Sequence, residues 1–483
     1  MPNVLLDGTA RARDATQEGE TMTAIDEVRK KLGGGWDGRL VAREDAGFDD
    51  VAGVVFAGDG APPALVARPR DAGEVAAVVR AAADTGVPLA VRGGGHAYAR
   101  YGTVAGGLVL DLRLFHGVRI DPARRVGAAS AGTTAGDYTG AAAEHGLATG
   151  FGDTLSVGVP GLALGGGIGY LSRRDGLTLD NVLSAEVVLA DGSIVRAADD
   201  ENRDLFWALR GGGGNFGVVT RLDLRLTPTT VVTGGLLAFA PDERTVGALL
   251  AAAAAAPDEL SLMVNVMKAP PAPFLPAERH GTPIVIALVC HAGAPGDADA
   301  VLAPFRAAGT LLADGVRTQP YPDLFGLAPN QTGTWPAQRT GFLESVDEAG
   351  AAAVIEAVRA APSAVAVVNL RPMGGAIGRV PRDATAFAHR DRAVLATVGA
   401  VSPDGARADE VRAWVAGTAG ELALGGAAYV NFVADAGAGS LSGAYPPDTL
   451  GRLQAVKRQV DPDNLFRSNL NVVPAGEPVP VPA

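Results

Sequence analysis

The chain has 483 residues, of which 47% are hydrophobic and 19% are charged, a balance typical of a folded globular protein and not of a disordered one. This length exceeds one typical core and predicts two domains. The formal net charge of −12 argues against nucleic acid and anionic membranes as partners, and the single cysteine, Cys290, excludes an intramolecular disulfide and a cysteine-cluster metal site.

The N-terminal segment is polar and mixed in charge over residues 1–21, without the apolar core of a signal peptide. We interpret it as a disordered leader, or Met22 as the true start, followed by an amphipathic helix within residues 1–40. The chain has no run of 18 apolar residues, so we expect a cytoplasmic enzyme that does not engage a membrane.

A loop of three successive glycines follows a predicted helix and strand. Apolar residues recur at helical spacing over 75–83, Gly86 is a typical C-cap, and 87–91 is a short apolar strand before the next one at 108–112. Glycines allow successive N–H groups to point at one anion, so residues 93–95, the glycine loop, can bind a pyrophosphate and place His96 beside the cofactor. An ordinary loop is the alternative, because glycine is about twice as frequent here as the usual ~7%.

A second string, residues 212–217, satisfies the G-x-G-x-x-G pattern of a dinucleotide-binding turn. That fingerprint requires a strand before it and a helix after it. Here helical character over 204–210 precedes the string, and an alternating strand over 217–226 follows, so the order argues against an NAD site. We interpret 217–226 as an edge-type strand closed by Pro228.

Beyond residue 228 the composition changes. Pro-rich loops at 269–276 alternate with apolar strand-like runs and Ala-rich helices, and these predict a mixed or antiparallel sheet covered by helices on one side. The predicted strands are 284–290 and 364–370, and the predicted helices are 245–256, 297–308 and 347–360. Cys290 lies in the first of these strands, where a buried small hydrophobe is expected.

Three motifs in order, over residues 92–98, 152–181 and 429–471, resemble those of the berberine-bridge-enzyme-like flavoproteins. This family is a branch of the vanillyl-alcohol-oxidase superfamily of FAD oxidoreductases, whose FAD-binding domain is of the PCMH type. The resemblance implies an α+β fold with the FAD-binding domain at 41–228, a substrate domain at 229–428 and a C-terminal segment, 429–483, that returns to the FAD domain.

The resemblance also implies how the cofactor is held. In the family, the histidine matching His96 is joined through a ring nitrogen to the 8α-methyl of the flavin, and many relatives add a cysteine at the position of Thr154. A single covalent link through His96 is therefore expected, with a buried, hydrogen-bonded His96 as the alternative. Val157 matches a position that gates dioxygen access in plant relatives, where valine is associated with oxidase behaviour; a packed strand residue is the alternative.

The expected cofactor contacts come from the three motifs and from the strand after residue 217. They are Arg92, Gly93, Gly94, Gly95, His96, Asp153, Thr154, Ser156, Val157, Gly158, Gly161, Gly165, Gly166, Gly169, Val218, Tyr429, Asn431, Asn469 and Asn471. Asn469 can equally cap a turn.

Tyr429, in the Tyr-x-Asn motif, is the implied catalytic base. Removing a hydroxyl proton at neutral pH requires that neighbours lower the pKa of the tyrosine below its ordinary value near 10. A packing aromatic with a satisfied hydroxyl is the alternative, and Tyr170 and Tyr98 are further candidates for substrate or flavin contact. The histidines form no metal-binding pattern, so no metal is expected.

Together these features predict an FAD-linked oxidase. It would take a hydride from a C–OH group of a small molecule, such as a sugar or secondary metabolite, and pass the electrons to dioxygen, which becomes hydrogen peroxide. Oxidation of a C–N bond or formation of a C–C bond is a less favoured reaction. The alternatives are a dehydrogenase with another acceptor and a flavin- or ligand-binding protein without turnover.

Overall fold

The computed structural model describes residues 23–273, 275–327, 332–435 and 438–476. The predicted leader and Met22 lie outside these residues, and the first helix, α1, covers 23–32. None of the helices in these ranges is long and apolar enough to cross a membrane.

The glycine loop directly follows a strand of the first sheet. Its strands are ordered β1-β2-β4-β3, with β2 and β3 both parallel to β4. The helix between β2 and β3 begins at Asp71, whose side chain accepts from the Glu74 N–H, and ends at Gly86, which has a left-handed φ of 68° as expected for a C-cap. The elements are β1 (Leu40–Ala42), α2 (Phe48–Ala52), β2 (Leu65–Ala67), α3 (Ala72–Thr85), β3 (Leu89–Arg92) and β4 (Leu108–Asp111).

The second sheet contains five antiparallel strands in the order β5-β6-β10-β8-β9, and β7 pairs with β11 beside it. Its strands are β5 (Val118–Asp121), β6 (Val126–Ser130), β7 (Leu147–Ala148), β8 (Val182–Val188), β9 (Ile194–Ala198), β10 (Val218–Arg225) and β11 (Thr227–Pro228). Its helices are α4 (Ala135–Ala143), α5 (Val159–Gly165), α6 (Ser172–Asp175) and α7 (Arg203–Leu209). The order of α7 before residues 212–217 and β10 after them is as predicted.

The prediction that 217–226 is an edge strand is wrong, because β10 pairs with β6 on one side and β8 on the other. Its polar residues suggested exposure, but they find partners within the sheet. Arg221 Nε donates to Asp223 at 2.9 Å, and the Ser184 hydroxyl of β8 donates to the same carboxylate at 2.8 Å.

The third sheet has eight strands in the order β15-β12-β14-β13-β18-β19-β17, with β16 also paired to β12. Every pairing is antiparallel. The strands are β12 (Val231–Phe239), β13 (Leu260–Lys268), β14 (Pro283–His291), β15 (Leu311–Asp314), β16 (Arg317–Pro320), β17 (Trp335–Leu343), β18 (Ala366–Pro372) and β19 (Val394–Ser402). The helices of this part of the chain are α8 (Glu243–Ala255), α9 (Ala298–Arg306), α10 (Glu348–Ala360), α11 (Ala376–Arg379) and α12 (Ala408–Glu421).

The two faces of this third sheet differ in chemistry. Because side chains alternate along a strand, Val264, Val368 and Val398 pack with helices α8, α10 and α12 in one apolar core. The intervening residues Asn265 and Asn369 lie on the opposite side, which we call the inner face. Cys290 also belongs to the inner face and is buried in an aromatic cluster, which confirms its predicted packing role.

The last helices, α13 (Ala438–Ala444) and α14 (Pro447–Val460), join the parts of the chain. The His389 ring contacts the carbonyl oxygen of Gly443 at 3.0 Å, and Arg390 forms a buried ion pair with Asp180 at 2.7 Å. Both residues are therefore packing residues. The domain boundaries stay a prediction, although every strand of the third sheet falls between residues 229 and 428.

Candidate active site

The glycine loop meets the second glycine-rich element backbone to backbone. A Cβ atom on Gly94 would overlap the Gly158 nitrogen, and one on Gly158 would lie 2.6 Å from the Gly94 nitrogen. Gly95 has a left-handed φ of 74°. Only glycine permits this approach, so the two motifs that the sequence places about sixty residues apart form one wall.

A cavity of about 300 Å³ lies against this wall. Its lining includes thirteen of the predicted cofactor residues, namely Arg92, Gly93, Gly94, Gly95, His96, Asp153, Thr154, Val157, Gly158, Gly161, Tyr429, Asn431 and Asn469. The backbone N–H groups of Gly94, Gly95 and His96 make no hydrogen bond to any residue that the structure describes. Adjacent backbone N–H groups without a hydrogen-bond partner are the donors that a pyrophosphate requires.

Three further polar atoms of cavity-lining residues are buried without a partner in the described residues, the Arg92 Nε, the Tyr101 hydroxyl and the Asn469 Oδ1. Buried polar atoms are normally hydrogen-bonded, so unpaired atoms facing a cavity indicate a polar ligand. These unpaired atoms and the free N–H groups of the glycine loop make the cavity a suitable binding site for FAD. Within the described ranges, no three His, Cys, Asp or Glu side chains converge to hold a metal ion.

His96 is held neutral beside the glycine loop. Burial lowers the pKa of its imidazole, and a hydrogen bond to the Ser156 carbonyl opposes that shift only in part. A neutral imidazole carries its proton on one ring nitrogen, so the other nitrogen keeps its lone pair. Ser156 is thus a partner of His96 and not part of the cavity wall.

Residues 165–167, the glycine triplet, do not line the cavity as the sequence predicted for Gly165 and Gly166. A Cβ on Gly165 would overlap the Asn431 side chain, and one on Gly166 would lie 2.7 Å from the Tyr429 ring. Gly167 has a φ of 86° and no room for a side chain against Thr178. The triplet therefore makes space for the Tyr-x-Asn motif.

The hydroxyl oxygen of Tyr429 accepts two hydrogen bonds at the end of this triplet. The Gly167 N–H donates at 2.7 Å and the Asn431 Nδ2 donates at 2.9 Å. Burial nevertheless raises the pKa of Tyr429 to about 12, while these two donors, the charge of Arg371 and, last, the Ile168 backbone act in the opposite direction. In the protein alone these neighbours do not bring the pKa of Tyr429 below its ordinary value, because loss of hydration outweighs the donors.

An ion pair that the sequence analysis missed lies at the same end of the cavity. Arg371 of β18 donates to Asp153 at 2.7 Å and to Asn369 at 2.7 Å, and its guanidinium lies 5.2 Å from the centre of the Phe432 ring. Burial would raise the pKa of the Asp153 carboxyl, but Arg371 and Thr154 outweigh it and lower the pKa. Arg371 is the only described residue between 229 and 428 that lines the cavity. The detectable signal was a pair of polar residues, Asn369 and Arg371, in an otherwise apolar strand.

The remaining wall near Tyr429 is aromatic. Tyr98 stacks on Phe56 with ring centres 4.7 Å apart, and Phe432 contacts both Tyr98 and Tyr429 edge to face. All four rings line the cavity. Phe56 and Phe432 were not among the predicted site residues, because an isolated aromatic gives no sequence signal for a site.

Several predicted site residues lie away from the cavity wall. Val218 is buried in the core beside Val188, because β10 is central in its sheet. Tyr170 packs edge to face on Phe325, and burial raises its pKa. The other two are Gly169, which faces the Phe151 carbonyl, and Asn471.

Arg92 does line the cavity, but its charged group has other partners. The guanidinium donates to the carbonyl oxygens of Ala52 and Gly53 at 3.0 and 2.9 Å, and it forms an ion pair with Asp111 at 3.2 Å. Arg92 thus fixes the start of the glycine loop through its two terminal nitrogens, and only its Nε is without a partner in the described residues.

Two family models match the chain. The FAD binding domain matches residues 63–198, and the berberine and berberine-like domain matches residues 428–473. These ranges contain the glycine loop, His96, the glycine triplet and the Tyr-x-Asn motif.

Comparison with known proteins extends the match over most of the chain. The (R)-6-hydroxynicotine oxidase of Paenarthrobacter nicotinovorans is 32% identical over 91% of this chain and 97% of its own length. The crystal structure of 6-hydroxy-D-nicotine oxidase from Arthrobacter nicotinovorans superposes with a TM-score of 0.78 at 29% identity, covering 90% of this chain and 97% of that one. Glucooligosaccharide oxidase of Sarocladium strictum is 43% identical over a third of each chain.

A plant structure shows the same fold at lower identity. The berberine-bridge-enzyme-like protein 1 of Physcomitrella patens has a TM-score of 0.81 at 23% identity, over 94% of this chain and 99% of its own. The full-length match to an oxidase and the FAD-binding geometry of the cavity lead to one conclusion. The chain belongs to the berberine-bridge-enzyme-like family of FAD-linked oxidases.

Proposed function

We propose that the protein oxidises a C–OH group of a small molecule and transfers the electrons to dioxygen, forming hydrogen peroxide. The observation that supports this best is Tyr429, whose hydroxyl is held by Gly167 and Asn431 on the wall of the same cavity as the glycine loop. The names of relatives, which include glucooligosaccharide and xylooligosaccharide oxidases, support a hydroxylated substrate. Screening alcohols and sugars for peroxide release tests the proposal, and release from none of them would contradict it.

We assign different roles to the residues along the cavity. The N–H groups of Gly94, Gly95 and His96 bind the pyrophosphate, and the aromatic wall of Tyr98 and Phe432 excludes water at the other end. Bound FAD supplies the acceptor for the hydride that leaves the substrate carbon. Tyr429 takes the proton of the substrate hydroxyl, since Asp153, the other acidic group nearby, is paired with Arg371.

A single covalent link through His96 is the first prediction. The uncharged imidazole has one free nitrogen, and Thr154 offers no thiol for a second link. Acid-precipitated enzyme should stay yellow, and one flavin-modified tryptic peptide should contain His96. His96→Ala should release its FAD into the supernatant, while Thr154→Ala keeps the flavin attached. Complete release of FAD from the unmodified protein would contradict the prediction.

Dioxygen as the acceptor is the second prediction. Val157 lines the cavity, and it matches the position that is associated with dioxygen access in plant relatives. Photoreduced enzyme mixed with aerated buffer in a stopped-flow instrument should reoxidise quickly, and Val157→Leu should slow this step without changing anaerobic reduction. Reduced flavin that persists for minutes in air, but reoxidises at once with a quinone, would establish a dehydrogenase.

A further inference from the structure

The Tyr429 hydroxyl oxygen accepts two hydrogen bonds from the protein. A neutral phenol has one proton to donate and two lone pairs to accept with. Gly167 N–H and Asn431 Nδ2 occupy those two lone pairs, at 2.7 and 2.9 Å. Among the residues that the structure describes, no acceptor receives the Tyr429 proton itself. A neutral Tyr429 can therefore donate to a substrate oxygen but has no lone pair left to accept a proton.

The two donors are fixed in place. Gly167 is held in a left-handed conformation with no room for a side chain, and the Asn431 amide also donates to the Leu162 carbonyl at 2.9 Å. Neither donor can turn away without losing a buried contact, and the Ile168 backbone adds a weaker stabilisation of the ionised form. Ionisation replaces the phenol proton by a third lone pair.

The surrounding charges favour this ionised form. The groups packed around the ring are Arg371, whose charge favours the phenolate, with Asp153 bound to it, Tyr98 across Phe432 and His389 across Phe387. Burial lowers the pKa of His389, so it is uncharged at neutral pH. Of these groups only Tyr98, whose pKa burial raises to about 12, titrates in the same alkaline range as Tyr429.

We propose that Asn431 and the Gly167 N–H form a binding pocket for the phenolate of Tyr429, and that Tyr429 acts as the base only in this ionised form. Asn431 is then a positioning residue that acts through Tyr429. The glycine triplet supplies the second donor, the Gly167 N–H. The proposal rests on the proposed function, because it assumes that Tyr429 removes the substrate proton. It assigns Asn431 to the tyrosine, whereas the sequence analysis assigned it to the cofactor.

The ionisation can be measured directly on the FAD-loaded enzyme without a substrate. The absorbance of tyrosinate near 295 nm is titrated with alkali, and the titration of Tyr429→Phe is subtracted to isolate Tyr429. Asn431→Leu, which keeps the size but removes the donor, should move the midpoint upward by about 1–2 pH units, because a hydrogen bond to a charged group contributes about 1.5–3 kcal/mol. Asn431→Asp provides a second variant of the same shape and should move it in the same direction. Tyr98→Phe is the control and should leave the midpoint in place.

Anaerobic flavin reduction by the best substrate of the peroxide screen provides the kinetic readout. Below the pKa of Tyr429, the rate should rise about tenfold per pH unit, because the ionised fraction does. Asn431→Leu should slow it about 10- to 100-fold in the natural background and hardly at all in Tyr429→Phe. Three results would contradict the proposed phenolate pocket. They are a Tyr429 titration midpoint that Asn431→Leu leaves unchanged, a reduction rate that stays flat from pH 6 to 10, and equal slowing by Asn431→Leu in the natural and the Tyr429→Phe backgrounds. A Tyr429→Phe variant of full activity would instead overturn the proposed function.

Discussion

Tyr429→Phe should slow anaerobic reduction of the bound flavin by about 10²–10⁴-fold, the usual cost of losing a general base. The substitution keeps the ring that packs on Phe432 and Phe387, so the aromatic wall stays intact. It removes only the oxygen on which Gly167 and Asn431 converge. The flavin spectrum and the dissociation constant for substrate should change little, because the loss falls on the transition state.

Tyr170→Phe is the matched control for this experiment. It removes a hydroxyl from a similarly buried tyrosine that lies away from the cavity wall, so the reduction rate should stay close to that of the unmodified enzyme. A Tyr429→Phe variant that reduces its flavin within about threefold of the unmodified rate, far below the general-base range, would show that the proton leaves by another route.

Lys457→Met should lower the free energy of unfolding by about 3–5 kcal/mol, because it leaves a buried carboxylate without its partner. Lys457 and Asp461 are both fully buried and 2.6 Å apart. The ammonium also donates to the carbonyl oxygens of Asn215 and Phe466, at 2.8 and 2.9 Å. Both of these residues line the cavity, so FAD content should fall together with stability.

Two variants separate this effect from a general loss of charge. Lys457→Met with Asp461→Asn should recover part of the stability, because no unpaired charge then remains buried. Arg412→Met removes an exposed pair with Asp409, three residues away on a helix, and should cost roughly 0–1 kcal/mol. Urea unfolding of the three variants measures the differences. Equal losses for Lys457→Met and Arg412→Met would contradict the assignment.

The sequence predicted well those features that local patterns determine. The helix before the glycine loop, the loop itself and the strands around 284–290 and 364–370 all lie where periodicity and capping residues placed them. The contact of Gly94 with Gly158 agrees with placing both motifs at one site. These features depend on residues close together in sequence or on motifs that have few other uses.

Features that depend on distant pairing were missed. Gly166 and Tyr429 are 263 positions apart, so nothing local shows that the glycine triplet surrounds a tyrosine and not a cofactor. Arg371 and Asp153 come from different sheets and loops, and only the packing of β18 shows which side of that strand faces the cavity. The position of β10 was misjudged for the same reason, since its polar residues have partners that periodicity alone does not reveal.

The separation of the two faces of the large sheet has a consequence for directed evolution of the enzyme. Cross-strand neighbours Asn265, Asn369 and Thr397 form one row on the inner face, and Arg371 lies next to it on the same strand as Asn369. Their sequence neighbours Val264, Val368 and Val398 belong to the helix-covered core on the other side. A library confined to the row would change the surroundings of Arg371, which lines the cavity, while the core that keeps the enzyme folded stays untouched.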